Sequence, residues 1–258
     1  MLALVLSRSP FREHDEHITV LTKKQGKLEL VARGTKKITS KNAAQLEPFS
    51  LVEVDITQGK QFMYLLRAVP VKPHHQVRAR LDASLAAGYM MHVLSNLLHV
   101  GAPEEKLFDD IVVWLAWLER GGQTTLPVLD AVMLIILHHL GLSPQLDRCV
   151  ITGETFQDMI KASLKEQQEH PGLYPAGGGL VCAAERFVKR AIGETIYECG
   201  LTEISNMQLL QTQNWQNIAT AHITHQEVQA LHRLVFEYTL YHTEKGLKDW
   251  ASIVRLGK

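Results

Sequence analysis

The sequence predicts an α+β multidomain protein: a small N-terminal five-stranded barrel, then an all-α helical domain carrying an irregular insertion. Three observations predict it. About seventy N-terminal residues fall into five short segments rich in Leu, Val, Ile and Thr and bounded by turn residues. After Pro73 the apolar period switches to helical spacing. Positive charge is concentrated ahead of that switch. Residues 1–80 hold 14 Lys and Arg against 7 Asp and Glu, a net of +7, whereas residues 81–258 hold 13 against 20, a net of −7. The zero net charge of the whole chain hides this asymmetry, which points to nucleic acid or an anionic surface as partner of the basic part.

Strands are expected at 2–7, 17–22, 27–33, 50–57 and 61–69, each short and rich in Leu, Val, Ile and Thr. Residues 23–26 form a hairpin turn in which Gly26 can take positive φ. Residues 58–60 form a second turn. Pro48 precedes the fourth strand, where a missing N–H does least harm. Five strands in this length fit a small closed barrel, of the OB-fold or the SH3-like kind. The local pattern does not separate the two. The expected division is a barrel domain over 1–80 and a helical domain over 81–258.

The helices follow in order. Residues 82–100 place Leu85, Ala86, Tyr89, Met90, Val93, Leu94, Leu97 and Leu98 at helical spacing. Residues 103–120 carry a stripe of Leu107, Phe108, Ile111, Val112, Leu115 and Leu118, with Pro103 in the first turn. Residues 126–140 form a nearly all-apolar helix stopped by Gly141. Residues 224–243 form a long helix, with Thr224 and Glu227 as a capping box. Between them lies a turn-rich stretch with Pro144, Pro171, Pro175 and three consecutive glycines, an irregular region placed at 143–185.

The expected binding residues are the cations beside strand ends. Arg33, Lys36, Lys37 and Lys41 fall within nine residues without an acid among them, in the loop between the third and fourth strands. Arg8 and Arg12 follow the first strand, and Lys23, Lys24 and Lys27 flank the hairpin turn. Loops of this kind track phosphates. Phe11 and Phe49 can stack on bases, although core packing is the favoured reading for Phe49.

Other chemistry is poorly supplied. There is no nucleophile elbow, Walker loop, dinucleotide fingerprint or HExxH motif, and the glycines at 177–179 lack a following Lys-Ser/Thr, so no enzyme is expected. The cluster His14-Asp15-Glu16-His17 sits on an extended segment whose neighbours point to opposite sides, and reads as an exposed turn. Three cysteines argue against a disulfide framework, and reduced thiols are expected. Cys149 is followed at +3 by Thr152 and Cys182 at +3 by Glu185, so each half of a two-knuckle zinc pattern offers one sulfur and one oxygen. No cofactor is expected, zinc being short of good ligands. The apolar runs are far below a membrane span and no signal peptide is evident, so a soluble, cytoplasmic, nucleoid-associated protein is expected.

Motifs across nearly the whole chain resemble the bacterial recombination-mediator family RecO. They are VLSRSPFRE at 5–13, LT at 21–22 with GKL at 26–28, VARG at 31–34, and LEPFSL at 46–51, close to the family's "LQPFSLLEVE". LGLSPQLDRC at 140–149 resembles the family's entry into its zinc region and GGLVC at 178–182 its exit, while residues 238–247 resemble its terminal helix. The resemblance implies an N-terminal OB-fold, a helical domain and, in many members, a four-cysteine zinc site. Thr152 and Glu185 stand where the second and fourth cysteines would be. It also implies a function without a catalytic reaction: binding single- and double-stranded DNA, annealing complementary strands, and working with RecR to load the RecA recombinase onto DNA covered by single-strand-binding protein, whose acidic tail the family contacts. The alternative drawn from the residues is an interaction module whose basic barrel docks an acidic protein partner.

Overall fold

The computed structural model describes every residue except 38, 39, 41, 42, 166–169, 244, 245, 257 and 258. Five strands, β1 (Leu2–Pro10), β2 (Glu16–Thr22), β3 (Gly26–Ala32), β4 (Leu51–Gln58) and β5 (Met63–Lys72), close into a barrel of order β1-β2-β3-β5-β4. All neighbours are antiparallel except β3 and β5, which run parallel with Leu30 beside Met63 and Ala32 beside Leu65. The alternation read from the sequence puts Ala3, Val5, Ile18, Val20, Leu28, Leu30, Val52 and Val54 in one core. This is the OB-type barrel, and the helices come after it.

The outer side of the barrel is also apolar in part. Leu4 and Leu21 face away from that core yet are fully buried, because helices cover them. These are α1 (His75–Ala79), α2 (Leu81–Leu97) and α3 (Glu105–Glu119), of which α2 packs on β1 and α3 on β2. One compact unit therefore comprises residues 1–124 with 252–258. The switch of period near residue 80 marks a change of secondary structure, whereas this unit runs on past it. Gly26 is the tightest approach. It takes φ +67°, and a Cβ there would meet the carbonyl oxygen of Ala102. Phe49 is buried at φ +72°, with its carbonyl 2.7 Å from Nδ1 of His74. The core reading holds for it.

The second unit is residues 125–251. Its centre is α4 (Leu126–His139), buried on every side from Leu126 to Leu137 and ended by Gly141 at φ +74°. There follow β6 (Gln145–Cys149), α5 (Phe156–Lys165), β7 (Gly172–Tyr174), β8 (Gly179–Val181), α6 (Ala183–Ala191), β9 (Tyr197–Glu198), α7 (Leu201–Gln211), α8 (Trp215–Thr220) and α9 (His225–Thr243). Helix α10 (Ala251–Leu256) ends the chain's described part. The capping box at α9 is formed: the Glu227 carboxylate accepts from the Thr224 N–H at 2.8 Å, and the Thr224 hydroxyl accepts from the Glu227 N–H at 3.3 Å. The turn-rich stretch differs from its reading as irregular. It supplies three strands of a four-stranded sheet of order β6-β8-β7-β9, the fourth following α6. Its strands of two to five residues are too short to show a period.

Among the described residues of this unit, one carboxylate is buried. Asp130 Oδ1 on α4 accepts from His232 Nδ1 and from Trp250 Nε1, both at 2.7 Å, and His232 Nε2 donates to Asp249 at 2.8 Å. Burial alone would lower the His232 pKa, but the two carboxylates on its ring hold it above the ordinary value.

Candidate nucleic-acid interface

The loop between β1 and β2 is a tight turn in which the N–H groups of Phe11 and Arg12 both donate to the Asp15 carbonyl, at 3.1 and 3.3 Å. The chain leaving β3 is tied to that turn. The Gly34 N–H donates to the Asp15 carboxylate at 2.9 Å, and the Lys36 N–H to the His14 carbonyl at 3.2 Å. The Lys36 ammonium donates to the Arg12 carbonyl at 2.8 Å. Two basic loops are thus laced into one rim, with Arg12, Arg33, Lys36 and Lys37 exposed on it.

A cluster of aromatic rings adjoins this rim. Phe11 meets His17 at 4.0 Å between ring centroids and Phe62 at 5.4 Å; Phe62 meets Tyr64 at 6.5 Å. All four rings are half-buried and none belongs to the barrel core. The Arg12 guanidinium lies 4.9 Å from the Phe11 centroid and that of Arg33 4.1 Å from Tyr64. His17 and Tyr64 stand on the outer side because their neighbours Ile18 and Leu65 point into the core. Sequence reasoning named Phe11 but missed His17, Phe62 and Tyr64. The alternation could have shown that they face outward. That β2 and β5 bring them together follows only from closure of the barrel.

The remaining predicted cations do not join the rim. Arg8 is held by Glu16 at 2.8 Å and Glu47 at 2.7 Å. Burial would raise the Glu16 carboxyl, but the Arg8 hydrogen bond and charge keep its pKa below the ordinary value. The hairpin lysines lie at the other end of the barrel, since β2 runs from the rim at Glu16 to the hairpin at Thr22. There Lys23 donates to both carboxylate oxygens of Asp109, at 2.8 and 2.7 Å. Lys27 is only 8% exposed and donates to the Ser95 carbonyl at 2.7 Å. That carbonyl is in the last turn of α2, where a cation is favoured. Lys24 is exposed at the same end. Lys41 lies outside the described residues. Neighbouring helices and strands thus engage three of the expected binding residues, Arg8, Lys23 and Lys27.

The small sheet sets the two halves of the knuckle pattern side by side. The Cys149 sulfur accepts the N–H of Thr152 and that of Cys182, both at 3.4 Å. Burial would raise the Cys149 thiol, but the Thr152 hydroxyl and these amides hold it below its ordinary value, whereas burial raises Cys182. Cys199 is elsewhere, beside the Pro171 carbonyl, its pKa pushed up to about 12 by burial. Zinc needs four good donors. The position that would supply a second thiolate holds a hydroxyl that donates to Cys149, and among the described residues no three His, Cys, Asp or Glu side chains group to hold a metal. The residues present do not fit structural zinc.

Comparison with known proteins covers nearly the whole chain. A family model described as "Recombination protein O N terminal" matches residues 1–74, and one described as "Recombination protein O C terminal" matches residues 78–251. The chain is 24% identical to a "DNA repair protein RecO" of a Nocardioides species, over 98% of each chain. It is 26% identical to a protein of the same description from Desulforamulus reducens, over 99% of this chain and 94% of the relative. A third, from Cutibacterium acnes, is 26% identical over 98% and 97% of the two chains. No helix among the described residues is long and apolar enough to cross a membrane.

Proposed function

The chain belongs to the RecO family, and from that premise we propose that it acts in DNA repair and recombination as a mediator without catalytic activity, binding DNA on the rim of its barrel. The observation that carries this reading is the convergence of Arg12, Arg33, Lys36 and Lys37 with the rings of Phe11, His17, Phe62 and Tyr64. Cations alone suit any polyanion. Cations interleaved with half-exposed rings suit a single strand, whose phosphates take the charge and whose unpaired bases stack. Two arginines lying over rings are held in place before a strand arrives, so less side-chain freedom is lost on binding.

Annealing follows from the same chemistry. A strand held by its backbone and by one base face keeps its Watson–Crick edges free for a complement. Once paired, the bases stack on each other instead of on the protein, and the hold weakens. Partners in this reading are single- and double-stranded DNA, RecR, single-strand-binding protein and, indirectly, RecA, in a cytoplasmic, nucleoid-associated setting.

Fluorescence anisotropy with a labelled oligonucleotide over a salt series tests it. Affinity falls steeply with salt, and Lys36→Glu with Lys37→Glu weakens binding to every sequence and lowers the slope of log affinity against log salt by about 1.4, at roughly 0.7 for each lost single-strand contact. If the double variant binds as tightly as the parent, the rim assignment is wrong. If the parent itself does not bind at low salt, the barrel docks an acidic protein instead.

A further inference from the structure

The two thiols of the knuckle remain unexplained once metal is set aside. Cys149 ends β6, and Cys182 opens α6 directly after β8, its parallel neighbour. The Cys182 N–H donates to the Cys149 sulfur at 3.4 Å, and both residues belong to one buried cluster. They are 33 positions apart in sequence, so the fold alone makes them neighbours. Cys149 is 1% and Cys182 8% exposed. Cys182 lines a cavity of about 120 Å³ with Met159, Pro171 and Ala183, large enough to admit a small oxidant such as hydrogen peroxide.

We propose that Cys149 and Cys182 form an oxidisable dithiol, which peroxide closes to a disulfide where a four-cysteine site would hold zinc. The Cys182 thiol, at the cavity wall, takes one oxygen from hydrogen peroxide to become a sulfenic acid, and one water leaves. The Cys149 sulfur then attacks the sulfenyl sulfur; the S–S bond forms, the S–O bond breaks, and the thiol proton departs with the hydroxyl as a second water. Two thiols have lost two electrons and peroxide has gained them. The cross-link ties the end of β6 to the start of α6, the connection that a shared metal would make. A thiol reductant reverses it. Cys199, packed against the Pro171 carbonyl on another part of the sheet, takes no part.

The test uses the full chain, treated with hydrogen peroxide, alkylated under denaturing conditions and digested for mass spectrometry. The expected product is a peptide pair joined through Cys149 and Cys182, lighter by two hydrogens, abolished by dithiothreitol and retained in Cys199→Ser. The mapping is done on the unaltered chain, so it does not depend on whether a Cys149→Ser variant folds. Peroxide that leaves both cysteines alkylatable, or carries them to sulfinic acid without a cross-link, overturns the proposal. So does about one equivalent of zinc in protein purified without chelator, since the metal would then hold the thiols. The outcome is independent of whether the barrel binds DNA.

Discussion

The two ends of the barrel carry the same residue types and use them differently. At the β1–β2 end, Arg12, Arg33, Lys36 and Lys37 are exposed; the Lys36 ammonium meets a carbonyl, and the guanidinium groups of Arg12 and Arg33 lie over rings. At the hairpin end, Lys23 is held by Asp109 and Lys27 by the Ser95 carbonyl. The difference is what packs nearby. Helices α2 and α3 cover the hairpin end and bring an acid and an unpaired helix carbonyl to meet those lysines. A carbonyl or a ring leaves an exposed cation its charge for a phosphate, whereas a carboxylate cancels it, as Asp109 does for Lys23, and burial removes it from reach, as for Lys27. Charge counted along a sequence is therefore an upper limit on charge available for binding.

That contrast can be broken at either end. The largest effect is expected for Tyr64→Ala, which removes a stacking ring and the support of Arg33. It should weaken single-strand binding by about 1–3 kcal/mol with little change in salt slope, because no charge is lost. A loss confined to the slope would mean that the ring does not meet a base. Lys27→Met is the opposite case. It should cost about 1–3 kcal/mol of stability in urea, by stripping a charged hydrogen bond from a helix end, and leave oligonucleotide affinity unchanged. A variant that is stable but binds weakly would return Lys27 to the binding surface.

A pH dependence sharpens the comparison further. The Glu16 carboxyl is held below its ordinary value of 4.5 by Arg8. Its contribution to stability is fully present above that value and is lost as pH falls through the lower, folded value. Thermal unfolding followed from pH 6 downward (a range chosen to bracket the ordinary carboxylate region) should show this loss, reduced in Glu16→Gln. An unchanged acid limb in that variant would mean the pair does not support the rim. The smallest effect belongs to Lys23→Gln. The pair with Asp109 is half exposed, so about 0.2–1 kcal/mol of stability is expected, and no change in binding. Measurable loss of DNA affinity there would show that the hairpin end also touches the strand.

Much of the fold was legible in the sequence. The barrel strands are apolar segments bounded by turn residues, and their expected bounds fall within a few residues of those observed, as at 17–22 against Glu16–Thr22. The capping box at Thr224 and the stop at Gly141 are local chemistry, written in adjacent residues. The small sheet of the second unit was not legible, since three residues of Gly172–Tyr174 or Gly179–Val181 cannot display a period. The site was half legible. Arg12, Arg33, Lys36 and Lys37 were named from charge alone, whereas His17 lies tens of residues from Phe62 and Tyr64, so the three carried no joint signal.

The sequence by itself determined what depends on near neighbours: which segments are strands or helices, where they stop, and which side of each strand is apolar. These follow from backbone preference and side-chain period over a few residues. Only the tertiary structure decided which cation keeps its charge, which rings share a surface, and that Cys149 and Cys182 touch. Those outcomes depend on contacts between residues tens of positions apart, and a contact exists only once the barrel has closed under its helices or, in the second unit, the small sheet has formed.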